Sequence, residues 1–249
     1  MNTAKTYTNK QIRNKTFISF FGFFLFLAGC IFFWKWLHDQ PLEKGVVKPL
    51  RTGLYMNENL FSRLYSFNNL SRTYSKSDVV SKVRVNGKAG LTGTFDATKW
   101  KLNLVKNPGD TLFITLDELK SLPKTEIIFD FKCIEGWSQV THWGGVRFSD
   151  FVKKYKLEDR ANLKYAGLET PDGKYYVGID NESMLHPQTL LCYEMNGVAL
   201  PMDHGYPLRL IIPVKYGVKH LKRIGSIFFS DTRPRDYWFE QGYDYYCGL

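Results

Sequence analysis

The run of hydrophobic and polar positions divides the chain into one unbroken apolar stretch, a weakly patterned stretch and a long region of short strands. Residues Thr16 to Trp34 read TFISFFGFFLFLAGCIFFW, nineteen positions without a charge. A helix of that length rises roughly 28 Å, enough to cross a hydrocarbon core. Trp34 and Trp36 close the run, where interfacial indoles are common. The pattern predicts a transmembrane anchor over 16–37. Residues 38–82 are polar and weakly periodic, which predicts a juxtamembrane linker with one short amphipathic helix at Glu58–Phe67.

From residue 83 to 249, strand-like runs alternate with turn signals. Strands are predicted at Trp100–Val105, Thr111–Ile114, Glu126–Lys132, Tyr175–Ile179, Leu208–Val214 and Ser226–Ser230. Short helices are predicted at Leu116–Ser121, Phe148–Tyr155 and Pro187–Glu194, the first opened by Thr115 with Glu118 three positions on as a capping box. The fold class that follows is α+β: a domain of mixed sheets with short helices over 83–249, preceded by one N-terminal transmembrane helix.

Composition narrows the function classes. With 44% hydrophobic and 16% aromatic residues the chain buries a core and is not disordered overall. The formal net charge is +10, but the first 48 residues hold seven basic and two acidic side chains, so the remainder is only mildly basic. No zinc-finger, helix-turn-helix or RNA-recognition signature is present, which sets nucleic acid aside. Four scattered cysteines, Cys30, Cys133, Cys192 and Cys247, make neither a disulfide scaffold nor a CxxC metal site.

Lys5, Lys10, Arg13 and Lys15 precede the span with no acid among them. The positive-inside bias then predicts a cytoplasmic tail over 1–15 and a single-pass inner-membrane protein with its domain on the periplasmic side. Leu27-Ala28-Gly29-Cys30 has the form of a bacterial lipobox, but the Ile-Phe-Phe-Trp around and after it is apolar where mature lipoproteins begin polar, which favours an uncleaved anchor.

Other residues are not accounted for by periodicity. Lys132-Cys133-Ile134-Glu135-Gly136-Trp137-Ser138 closes a predicted strand and is followed by Trp143-Gly144-Gly145-Val146. This resembles the cysteine motif of the sulfite-oxidase-like molybdopterin-binding oxidoreductases. Asn107-Pro108, Thr115-Leu116-Asp117-Glu118-Leu119 and Leu122-Pro123 precede it in the family's order. His186-Pro187, Tyr193-Glu194-Met195-Asn196-Gly197, His204-Gly205-Tyr206-Pro207-Leu208-Arg209, Lys215-Tyr216-Gly217, Tyr237-Trp238 and Gly242-Tyr243 follow it. The members most similar in architecture are bacterial catalytic subunits without a fused haem domain, including the periplasmic methionine-sulfoxide-repair reductases.

The resemblance implies a molybdenum-molybdopterin cofactor with Cys133 as the thiolate ligand to the metal, a role that suits a soft anionic donor. It implies that His204 and Arg209 contact the pterin and that the stretch Lys219, His220, Leu221 and Lys222 contacts its phosphate. Arg209 offers a bidentate fork and the lysines point charges. Lys132 departs from the His that many relatives carry before the cysteine, His204 stands where the repair reductases have Asn, and their N-terminal pterin-contacting segment has no legible counterpart. His142, Glu135 and Tyr206 read as structural partners rather than acids or bases, and Cys192 and Cys247 as packing residues.

The expected activity is two-electron oxygen-atom transfer on an S-oxide, N-oxide or sulfite-type substrate, the cofactor carrying the chemistry. Neither a haem ligand motif nor a nicotinamide fingerprint is present, so electrons are expected to pass to or from a separate haem- or quinol-linked membrane subunit. The alternative is a non-catalytic membrane-tethered binding module on the same fold, against which the retained Cys133 stands.

Overall fold

The computed structural model describes residues 6–249; residues 1–5, with Lys5 of the expected tail, lie outside the described residues. Helix α1 (Asn9–His38) opens at Thr8, whose hydroxyl accepts the Gln11 N–H at 3.3 Å while the Gln11 side chain accepts the Thr8 N–H at 3.0 Å. None of its residues is buried, and among the described residues it is the one helix long and apolar enough to cross a membrane. It outruns the charge-free stretch at its N-terminal end because Lys10, Arg13 and Lys15 are good helix formers.

Strands β1 (Leu42–Glu43) and β2 (Val46–Val47) form a hairpin turned by Lys44 and Gly45, both at positive φ. Helix α2 (Lys48–Leu64) follows directly, with Pro49 in its first turn. It is longer and earlier than the helix expected at Glu58–Phe67. The pattern misled because α2 turns Arg51 and Glu58 inward against the domain, so its buried stripe is polar. The segment expected to be a linker is thus docked on the domain.

The domain proper begins with the hairpin β3 (Leu102–Asn107) and β4 (Asp110–Ile114), then α3 (Leu116–Lys120), capped by Thr115 and Glu118 as expected. A long hairpin, β5 (Lys124–Lys132) and β6 (Ser138–Arg147), leads into α4 (Phe148–Lys154) and α5 (Glu158–Ala161). A second hairpin, β7 (Tyr165–Glu169) and β8 (Tyr176–Asp180), is followed by α6 (Asn181–Met184). Then come β9 (Leu190–Met195), β10 (Val198–Ala199), β11 (Arg209–Ile211), β12 (Ser226–Ser230) and α7 (Tyr237–Glu240).

These strands make two five-stranded sheets. One runs β10-β9-β6-β5 with β11 also on β9, and is antiparallel; the other runs β4-β3-β12-β7-β8, in which β3 and β12 are parallel. The α+β class expected from the sequence is the architecture observed.

The helix expected over Pro187–Glu194 is instead the start of strand β9. Leu191 and Tyr193 enter the main core, which draws on both sheets, while Leu190, Cys192 and Met195 enter a second cluster with Phe129, Trp143 and Ile211. A strand buried on both faces loses the alternation that marks a half-exposed one, and a short apolar run is then ambiguous. Each such side chain contributes about 1.5–3 kcal/mol on burial. Strand β6 also escaped detection, because Gly144 and Gly145 interrupt it. At Gly145 the register against β9 shifts, and a Cβ there would lie 2.2 Å from the Leu191 carbonyl oxygen, so glycine is required.

Candidate functional site

The β5–β6 turn places the cysteine. The Cys133 N–H donates to the Trp137 carbonyl at 2.9 Å and the Gly136 N–H donates to the Cys133 carbonyl at 3.0 Å, a closure that needs Gly136 at φ +88°. The thiol side of Cys133 is thereby turned into a cavity of about 280 Å³, where the Asn86 amide approaches Sγ at 3.7 Å. At the rim, the Trp137 indole donates to Glu135 at 3.1 Å and holds that carboxyl below its ordinary range, and the Arg84 guanidinium lies 4.8 Å from the Trp137 ring.

The facing wall carries cations without carboxylate partners. Arg209, paired through β11 with Cys192 of β9, is 3% exposed; it donates to the His204 carbonyl at 3.1 Å and stacks 4.4 Å from the Trp143 ring. Its Nε is buried with no partner, and burial pushes its pKa down to about 10. Lys222 donates to the carbonyls of Asn86 (2.7 Å), Gly87 (3.2 Å) and Asp203 (3.1 Å). Burial, then Arg209, pushes it down to about 8.

Both histidines are neutral at pH 7. Burial, then Arg209 and Lys222, brings His204 down to about 4, and burial brings His220 down to about 3. The His220 Nε2–H donates to the Lys215 carbonyl at 3.1 Å and Nδ1 accepts from the Ile212 N–H at 3.5 Å, so only its ring face meets the cavity, edge-on to Phe131 at 4.7 Å.

Of the residues singled out in the sequence, Cys133, His204, Arg209, His220 and Lys222 line this one cavity. Lys219 and Leu221, expected beside the cofactor, do not. Lys219 is 1% exposed and its ammonium goes to Asp236 (2.5 Å) and the Gly178 carbonyl (3.0 Å), while Leu221 lies in the main core. From this short segment His220 and Lys222 line the cavity, while Lys219 turns away to Asp236 and Leu221 to the core. His142 pairs with Glu126 at 3.0 Å away from the cavity, and Cys192 and Cys247 are buried in packing.

Sequence reasoning missed the wall made by Val83, Arg84, Asn86, Gly87 and Ala89, within the segment that showed no legible pterin contact. Its only local signal is the turn dipeptide Asn86-Gly87. Tyr175, Trp238 and Tyr243 complete the aromatic side; only the last two belong to quoted motifs.

Chemically, the cavity joins one thiol to two desolvated cations that have only carbonyl oxygens for partners, with Glu135 the sole acid in its lining. That set suits an anionic ligand. Among the described residues no group of three His, Cys, Asp or Glu side chains is placed to hold a metal, so a metal joining Cys133 would bring its other ligands with it.

The family model of the oxidoreductase molybdopterin binding domain matches residues 89–238. A protein of Azospira oryzae provisionally named a protein-methionine-sulfoxide reductase subunit is 33% identical over 224 residues, 89% of this chain and 81% of that protein. The protein-methionine-sulfoxide reductase catalytic subunit of Xanthomonas campestris is 31% identical, covering 87% of this chain and 69% of its own. A solved sulfane dehydrogenase from Paracoccus pantotrophus aligns with a TM-score of 0.49 at 18% identity, over 56% of this chain and 40% of that one. Molybdopterin fits the residues present: its phosphate answers Arg209, whose Nε has no partner, and Lys222, neither of which has a carboxylate, its ring donors and acceptors answer the carbonyl-lined wall, and a molybdenum it carries needs a thiolate such as Cys133 supplies. The chain therefore belongs to the molybdopterin-binding oxidoreductases, and is an enzyme whose cofactor is molybdenum-molybdopterin.

Proposed function

We propose that this oxidoreductase is a single-pass membrane enzyme that reduces S-oxides by two-electron oxygen-atom transfer. Residues 1–15 lie in the cytoplasm, 16–37 span the inner membrane, 38–82 join the span to the domain, and 83–249 form the catalytic domain on the periplasmic side. Electrons come from a separate membrane redox subunit that is haem- or quinol-linked. The observation that carries the reading is the sharing of one cavity by the Cys133 thiol and two cations without carboxylate partners, the buried Arg209, whose Nε has no hydrogen-bond partner, and Lys222. The names of the relatives from Azospira and Xanthomonas point to protein-bound methionine sulfoxide as the substrate class.

When bound, the cofactor supplies a two-electron metal centre able to accept or release an oxygen atom. Cys133 supplies a soft thiolate to the molybdenum. Arg209 and Lys222 neutralise the anionic end of the pterin, with His204 beside them as a neutral ring, and the His220 face packs the floor. Trp137, Trp238 and Tyr243 give the cavity aromatic walls beside the reacting sulfur. The net reaction consumes two electrons and two protons, breaks the sulfur–oxygen bond and yields sulfide and water.

The test is to purify the full chain from a molybdenum-replete host and follow oxidation of a reduced viologen by methionine sulfoxide, other S-oxides and N-oxides, and reduction of an electron acceptor by sulfite. The reading expects stoichiometric molybdenum and turnover with S-oxides; turnover with sulfite alone overturns the substrate class. Cys133→Ser should abolish activity and alter the molybdenum(V) resonance, and wild-type behaviour in that variant overturns the ligand assignment. A reporter fused at Leu249 that is active only outside the cytoplasm decides the side of the membrane.

A further inference from the structure

Helix α2 is built the wrong way round for a helix covering a core. Arg51 and Glu58 are buried, with Tyr55 and Ser62 half-buried on the same stripe facing the domain. Arg51 donates to four carbonyls, those of Glu43 (3.4 Å), Lys44 (2.5 Å), Phe239 (3.0 Å) and Tyr243 (2.8 Å), and Glu58 pairs with Arg233. Facing away are Leu50, Leu60, Phe61 and Leu64, which are 52%, 55%, 56% and 67% exposed, with the half-buried Leu54 among them. Leu50, Leu54, Phe61 and Leu64 fall on one helical face.

We propose that this outward face is seated in the lipid bilayer, making α2 an interfacial helix that lies along the membrane surface beside the point where α1 emerges. The inference rests on the reading of α1 as the membrane span. Chain continuity selects lipid as the occupant. The Lys48 N–H donates to the Pro41 carbonyl at 2.9 Å, because the β1–β2 hairpin folds the chain back on itself. Helix α2 therefore starts against the third residue beyond the end of α1, a stretch of chain no longer than about 10 Å. Its 17 residues carry too many polar positions to span, yet it exposes Leu50, Phe61 and Leu64 along one face, the combination of a helix that lies on a membrane. Exposed Lys48 and Arg63, near its two ends, provide cations for anionic headgroups.

The seat also reaches the catalytic cavity. Arg51 holds the carbonyls of Phe239 and Tyr243, and Tyr243 packs edge-on to Trp238 at 5.0 Å in the cavity wall. A helix resting on lipid thus fixes how the aromatic wall stands relative to the membrane that holds the electron donor.

The full chain, reconstituted in nanodiscs of phosphatidylcholine and phosphatidylglycerol, tests this. A nitroxide is attached at Cys30 of the native sequence and, with Cys30→Ser, at Phe61→Cys, Leu64→Cys and Asn59→Cys in turn. Collision with dissolved oxygen is compared with collision with a water-soluble nickel chelate. The proposal expects Cys30 deep in lipid, Phe61 and Leu64 about 5–10 Å below the headgroup boundary, and Asn59 open to nickel. Lipid contact at Cys30 with nickel access at Phe61 and Leu64 overturns the seat and leaves the anchor standing. Nickel access at Cys30 removes the anchor and the seat with it. Shielding of Phe61 and Leu64 from both reagents means that protein covers the face, a second copy or the redox subunit, and also overturns it.

Discussion

Two sets of cations lie within residues 209–222, and the domain treats them differently. Lys215 and Lys219 each face a carboxylate, Asp180 at 2.6 Å and Asp236 at 2.5 Å. Arg209 and Lys222, a few positions away, face only carbonyl oxygens, and one Arg209 nitrogen faces nothing. Removing a charge from water costs several kcal/mol unless a partner offsets it. In the first set the partner belongs to the protein: burial raises Asp180, but Lys215 and Ser183 outweigh it and hold the carboxyl below its ordinary value. In the second set carbonyl oxygens and the Trp143 ring offset only part of the cost, and an anion entering the cavity offsets more of it. Within this segment the two lysines with their own carboxylates serve the fold, and the two cations without one line the cavity, where an anion can meet them.

Breaking a pair in the first set has the larger effect on folding. Asp236→Asn keeps a hydrogen-bonding cap for α7 but strands the Lys219 ammonium, and should lower unfolding free energy by about 3–5 kcal/mol in urea titrations. A loss below about 1 kcal/mol would show that the pair contributes little and dissolve the contrast. Arg209→Ala should do the opposite: molybdopterin content of the purified protein falls, while the cofactor-free protein unfolds at an unchanged or higher urea midpoint. Full cofactor content in that variant makes Arg209 structural.

The smallest effect is a pH slope. The folded pKa of Lys222, about 8, lies below the ordinary 10.5. Between these values the unfolded chain binds more protons than the folded one, so stability of the cofactor-free protein rises as pH goes from about 8 toward 10.5. Lys215, also pushed down to about 8 by burial, adds the same slope in every form. An anion beside Lys222 restores its proton and removes its share, so the cofactor-loaded protein should show the flatter profile, and Lys222→Met should flatten the cofactor-free one. Equal slopes in loaded and cofactor-free protein would place the anion elsewhere.

Local order along the chain carried much of this. A nineteen-residue charge-free run permits little but a long helix, and Thr115 with Glu118 announces the start of α3, because both signals act between residues close in sequence. The cysteine turn was legible for the same reason: Cys133, Gly136 and Trp137 close a loop among themselves. Tertiary packing decided the rest. It made β9 a strand by burying it between two cores, sent Lys219 to Asp236 and Lys222 to the cavity from one short segment, and brought the 83–89 wall opposite Cys133. It also turned the polar stripe of α2 inward. Each of these depends on partners far away in the chain, Asp236 for Lys219 and Tyr243 for Arg51, and the energy of a buried charge is set by the group that meets it there rather than by its neighbours in sequence.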